Sequence, residues 1–92
     1  MQTHPLQQIP GVGRNMVGHL LALGYQRVQD LVGENPREMY ERDCLRCGQR
    51  LDQCVLYVYR CAVWFAETGG PQREKCNWWY WKDHPLAREG AE

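Results

Sequence analysis

Residues 9 to 15 read Ile-Pro-Gly-Val-Gly-Arg-Asn, and residues of these types in this order could hold a phosphate. Glycine has no Cβ, so Gly11 and Gly13 allow backbone N–H groups to face outward and a ligand to approach the chain closely. A helix starting just after Gly13 would add unpaired amide donors and the positive end of its dipole. Arg14 and Asn15, in its first turn, would contribute side-chain donors. Such contacts grip the sugar–phosphate backbone and carry no base information. Gly11, Val12, Gly13, Arg14 and Asn15 are therefore the candidate DNA-backbone contacts. The competing reading makes the same turn a compact helix junction or a docking point for protein.

A second cluster is Trp78-Trp79-Tyr80-Trp81, followed by Lys82 and preceded by Arg73 and Lys75. Rings flanked by cations could stack on unpaired bases. They could equally close as a lid over an apolar helix, with Lys82 over one ring. The lid is the preferred reading, and it expects one or two rings partly exposed, since adjacent side chains cannot all face inward.

The cysteines offer a third chemistry. Cys44-Leu-Arg-Cys47 has the spacing of a metal or redox pair. A four-thiolate site needs a second close pair, and Cys54 and Cys61 lie about 10 Å apart along one helix axis. Thiols on apolar helical stripes behave as small hydrophobes. Core packing is the expectation, with no metal and no cofactor. A thioredoxin-like role is disfavoured because no strand precedes the pair. His4, His19 and His84 are scattered, and none neighbours an obvious nucleophile or carboxylate pair. The chain reads as a non-enzyme.

The elements that must position these residues are helical. Leu6 and Ile9 suggest a short helix ending at Pro10. Met16, Leu20 and Leu23 recur at helical spacing up to Gly24, and Val28, Leu31 and Val32 mark another short helix before Gly33. Asn35-Pro36-Arg37-Glu38 is a start signal with a capping residue, and that helix runs to Gly48. Leu51, Cys54, Val55, Val58, Cys61, Ala62 and Phe65 then define the longest helix. It is apolar nearly all round, with Gln53, Arg60 and Glu67 as a narrow polar edge, which marks it as central. Gly69-Gly70-Pro71 ends it, and residues 72–92 show no clear period. No convincing strand alternation occurs.

The bulk numbers narrow the function further. Ninety-two residues suit one domain. Eleven basic residues balance eleven acidic ones, which argues against strong autonomous binding to a polyanion but leaves room for a small local contact. The most apolar run, residues 51–66, is too short for a membrane span and carries Asp52, Gln53 and Arg60. No export signal is recognisable, and an odd count of five cysteines fits reduced thiols in a cytoplasm.

Leu6-x-x-Ile9-x-Gly11-x-Gly13-x-x-x-Val17 resembles the helix-hairpin-helix motif. Leu51-Asp52-x-Cys54-Val55-Leu56-Tyr57-x-x-Arg60-Cys61-Ala62-Val63, followed by Trp78-Trp79-x-Trp81-Lys82-Asp83, resembles a small bacterial family, the pathogenicity-locus family, over roughly residues 6 to 83. Members are often labelled mitomycin resistance proteins, and resistance to a DNA cross-linker implies a DNA-associated role. The expectation is an all-α, small helix-hairpin-helix domain of about five helices with a Trp-rich C-terminal segment. One domain would cover 1–92: a hairpin at about 4–24, a second helical half at 26–68 and the tail at 71–92. Its function would be weak, sequence-independent DNA binding as an accessory to a larger DNA-processing protein in repair or damage resistance, with no membrane partner. The alternative is a protein–protein adaptor whose hairpin is structural.

Overall fold

A computed structural model of the chain describes residues 4–89. Its α-helices are α1 (Arg14–Ala22), α2 (Pro36–Cys47) and α3 (Gln53–Thr68), and the rest of its regular structure is 3-10 turns, with no strand among the described residues. The fold is all-α. The short helices expected before Pro10 and after Val28 are the single 3-10 turns Pro5–Gln8 and Val28–Leu31. Four residues cannot repay the cost of nucleating an α-helix, so a tighter turn is the stable choice.

Side-chain chemistry at the helix ends accounts for the longer elements. Asn35 Oδ1 accepts from the N–H groups of Arg37 (2.9 Å) and Glu38 (3.3 Å), and Pro36 sits where no intrahelical N–H is needed. Asp52 Oδ1 accepts from the Cys54 N–H at 2.9 Å and starts α3. Gly69, at φ +83°, ends it in the left-handed conformation that suits glycine.

α3 is the central element. Every residue from Val58 to Trp64 is buried, and Leu56, Tyr59 and Val63 pack among Leu6, Ile9, Leu20, Leu31 and Met39. A second cluster on α3 joins Cys61 and Trp64 to Trp81. Two residues of the expected polar edge of α3, Arg60 and Glu67, fasten the tail, while Gln53 is exposed. Arg60, only 4% exposed, directs Nε and Nη2 to the Glu89 carboxylate (2.9 and 3.0 Å) and Nη1 to the Trp81 carbonyl (2.7 Å). Glu67 accepts from Arg88 Nη2 at 2.9 Å and from the Gly33 N–H at 2.7 Å. Asn35 Nδ2 donates to the Arg88 carbonyl at 2.5 Å. The tail, aperiodic in sequence, is thus three 3-10 turns (Arg73–Cys76, Trp78–Asp83 and Ala87–Glu89) strapped along α3 to the start of α2.

Candidate nucleic-acid interface

The glycine turn has two differently used glycines. Gly11 lies at φ +83°, where L side chains are strained, and a Cβ there would sit 3.7 Å from the Cβ and Cδ1 of Trp78. Gly13 caps α1 in extended geometry (φ −97°, ψ −166°), and a Cβ there would meet nothing within 4 Å. The fold therefore requires glycine at 11 and leaves 13 open. Val12 points inward and its N–H donates to the Ile9 carbonyl at 3.1 Å, so it anchors the turn and offers no free donor.

No side chain caps α1. The Gly13 carbonyl accepts from the Val17 N–H at 3.0 Å, which leaves the amides of Arg14, Asn15 and Met16 as the unpaired first turn of the helix. The Arg14 and Asn15 side chains are exposed beside them. Along the sequence the charge is uneven although the chain is neutral: no acidic residue occurs before Asp30. Ion pairs among the described residues engage Arg27, Arg37, Arg46, Arg60 and Arg88. Arg42 is spent on the Tyr25 hydroxyl (3.0 Å) and the Leu23 carbonyl (2.7 Å). Apart from Arg42, the cations without a carboxylate partner among the described residues are Arg14, Arg50, Arg73, Lys75 and Lys82, of which all but Arg50 belong to the glycine turn or the Trp segment.

The three tryptophans take three different positions. Trp81 is 4% exposed, packs on Trp64 with ring centroids 5.7 Å apart, and donates its indole N–H to the Lys75 carbonyl at 2.8 Å. Trp78 is half-buried against Gly11. Trp79 is 60% exposed, its ring edge-on to Trp78 at 5.6 Å. Lys82 is exposed, and the cation over a ring is Lys75, 5.9 Å from the Tyr80 centroid, in place of the expected Lys82.

One histidine meets a carboxylate 24 residues away in sequence. His19 Nδ1 lies 2.6 Å from Asp43 Oδ2, which also accepts from the Tyr59 hydroxyl at 2.6 Å. Arg46 reaches Asp43 Oδ1 with Nε (3.0 Å) and Nη2 (2.7 Å). Burial of Asp43 opposes its charge, but the donors Tyr59, His19 and Arg46 outweigh it and hold the carboxyl below the ordinary carboxylate range. The cluster joins α1, α2 and α3, and its carboxylate oxygens are used up in doing so. Sequence gave one signal for it: Asp43 stands seven residues after buried Pro36 and four after buried Met39, on the inner stripe of α2.

The cysteines are all free thiols, and only Cys61 is fully buried; Cys44, Cys47, Cys54 and Cys76 are partly exposed. Among the described residues no three of the His, Cys, Asp and Glu side chains gather in a metal-binding group. No helix among them is long and apolar enough to cross a membrane. A cavity of about 300 Å³ opens between Arg37, Tyr40, Glu41, Cys44, Leu45 and Arg50, away from the glycine turn in sequence.

Among known proteins, the family described as Cdd1, pathogenicity locus, matches residues 1–85. The chain is 35% identical over 90 residues to mitomycin resistance protein McrB of Streptomyces lavendulae, an alignment covering 95% of this chain and 82% of that protein. No solved structure matches it.

Proposed function

The chain belongs to the pathogenicity-locus family, and from that premise we propose that it is a non-enzymatic DNA-backbone binder. In this reading the Pro5–Gln8 turn, the Gly-Val-Gly hairpin and α1 form a helix-hairpin-helix unit. Gly13 and the exposed first turn of α1 receive a phosphate, and Arg14 and Asn15 add side-chain donors. The observation that carries it is Gly13: it caps α1 with no side-chain bond and has open space where a Cβ would be, so a ligand can reach the amide row. The absence of any acidic residue before Asp30 favours an anion at the same place. A relative named for mitomycin resistance agrees with a role beside DNA repair or damage resistance, as an accessory to a larger DNA-processing protein.

The test is a salt titration with single-stranded, duplex and branched DNA. With two or three phosphates neutralised, log K against log salt should slope at roughly −2 to −3, and Arg14→Ala should flatten it by about one unit. Absence of binding to every form at low salt would end the proposal. One observation favours the adaptor reading instead: Leu45 stands 82% exposed at the rim of the cavity with Arg37 and Arg50. A chain that ignores DNA but loses a bound protein on Leu45→Ser would belong to that class.

A further inference from the structure

We infer that Trp79 is a stacking platform for an unpaired base, so that the DNA this chain grips is single-stranded or locally opened. The inference rests on the backbone-binding reading and adds to it the form of nucleic acid.

Trp79 is exposed because of its register. The segment Trp78–Asp83 is a 3-10 helix, in which residues three apart share a face. Trp78 and Trp81 therefore turn together toward the body of the protein, and Trp79 must face away. Its exposure is built into an element that Trp81 and Arg60 hold down, since Arg60 Nη1 bonds the Trp81 carbonyl at 2.7 Å. The neighbouring Trp78 ring holds the indole edge-on at 5.6 Å, so a flat face stands ready in water. Leaving that much apolar surface exposed forfeits burial that its neighbours gain.

The surroundings say what covers it. Trp78 touches Gly11, so the Trp79 ring stands one ring away from the hairpin that takes the phosphate. Exposed residues of the same stretch are Asn77, Lys82 and Asp83, and the segment also carries Arg73, Glu74 and Lys75; its three cations outnumber its two acids and have no ion-pair partner among the described residues. A flat ring in a polar segment with a small excess of cations suits a nucleotide better than an apolar protein side chain. Stacking on an aromatic accepts every base, which agrees with contacts that read backbone and not sequence. In a duplex the bases are already stacked on each other, so the ring can engage only an unpaired one.

The experiment titrates the full chain against a fluorescein-labelled oligothymidylate and a fluorescein-labelled duplex of equal length at low salt. Trp79→Ala should weaken single-strand binding roughly tenfold and duplex binding by less than about twofold, whereas Trp79→Phe should retain most of the single-strand affinity. Oligothymidylate should shield wild-type tryptophan fluorescence from iodide and should lose that effect in Trp79→Ala. Should Trp79→Ala melt early, the Phe variant and the shielding measurement decide. Equal weakening of both DNAs, no weakening of either, or a wild type that prefers duplex would overturn the inference while leaving backbone binding intact. A wild type that binds neither DNA overturns both readings together.

Discussion

Asp43 has no solvent exposure, yet it stays charged because four donor atoms from three side chains face it. Removing it would strand His19, Arg46 and Tyr59 at a helix junction. Asp43→Ala should cost about 1 to 3 kcal/mol in urea unfolding at pH 7, since His19 and Arg46 remain partly exposed to water, and Tyr59→Phe about 1 to 2 kcal/mol. The sign of the pH dependence follows from the direction of the shift. A carboxyl held below its unfolded value of about 3.9 contributes stability that is present above that pH and lost as pH falls through the folded value. The gap between wild type and Asp43→Ala should therefore narrow in acid, and an undiminished gap at pH 2 would refute the ionic account. Burial pushes the Cys61 thiol the other way, up to about 12. Iodoacetamide at pH 8 should label Cys44, Cys47, Cys54 and Cys76 and spare Cys61 in a mass-spectrometric map of the native chain. An unfolded Cys61 would ionise near pH 8.5, so its contribution to stability declines as pH rises from there toward 12. The Asp43 cluster was hard to read in the sequence because an acid on a helix is ordinarily solvated, and its partners lie 24 and 16 residues away. Only its place on an apolar stripe hinted at burial.

At the scale of elements, the three α-helices were legible because period and a glycine stop agree in each, and in α2 the cap agrees as well. Asn35-Pro36 starts α2, Gly48 follows it, and α3 repeats its apolar residues without a break. The 3-10 turns were not legible as such, since four residues hold too little period to separate them from a short α-helix. The tail has no period because it packs by fastening: its anchors are single residues, Trp81, Arg88 and Glu89, each meeting a residue of α3. Arg60 was read as a surface edge for the same reason. Glu89→Ala should leave that guanidinium buried with half its partners gone and cost about 3 to 5 kcal/mol, much of the stability expected of a small domain. A chain cut after Gly70 should lose most of its helical circular dichroism, because α3 would then expose Cys61 and Trp64. A truncated chain that melts like the whole would show that the tail is dispensable.

Across the whole molecule, neutrality conceals a sorting of charge. All the acids lie at residue 30 or beyond, and Asp30, Asp43, Glu67 and Glu89 pair with arginines, while Arg14 and the cations of residues 73–82 remain without such partners among the described residues. Gly13→Ala tests this arrangement without disturbing the core: it should leave the melting temperature within a few degrees and weaken DNA binding severalfold, since the new Cβ has space in the fold. The glycine turn itself was visible in seven contiguous residues. Its contact with Trp78 was not, because Gly11 and Trp78 are 67 positions apart and no local pattern records such a meeting. That same contact orders events during folding. The loop it closes spans 67 positions, so a large closure entropy must be met before the contact gives anything back. The helices, whose contacts are local, form first, and the Trp78 ring settles against the glycine turn late. Trp78→Ala should therefore speed unfolding and leave the folding rate nearly unchanged in stopped-flow measurements.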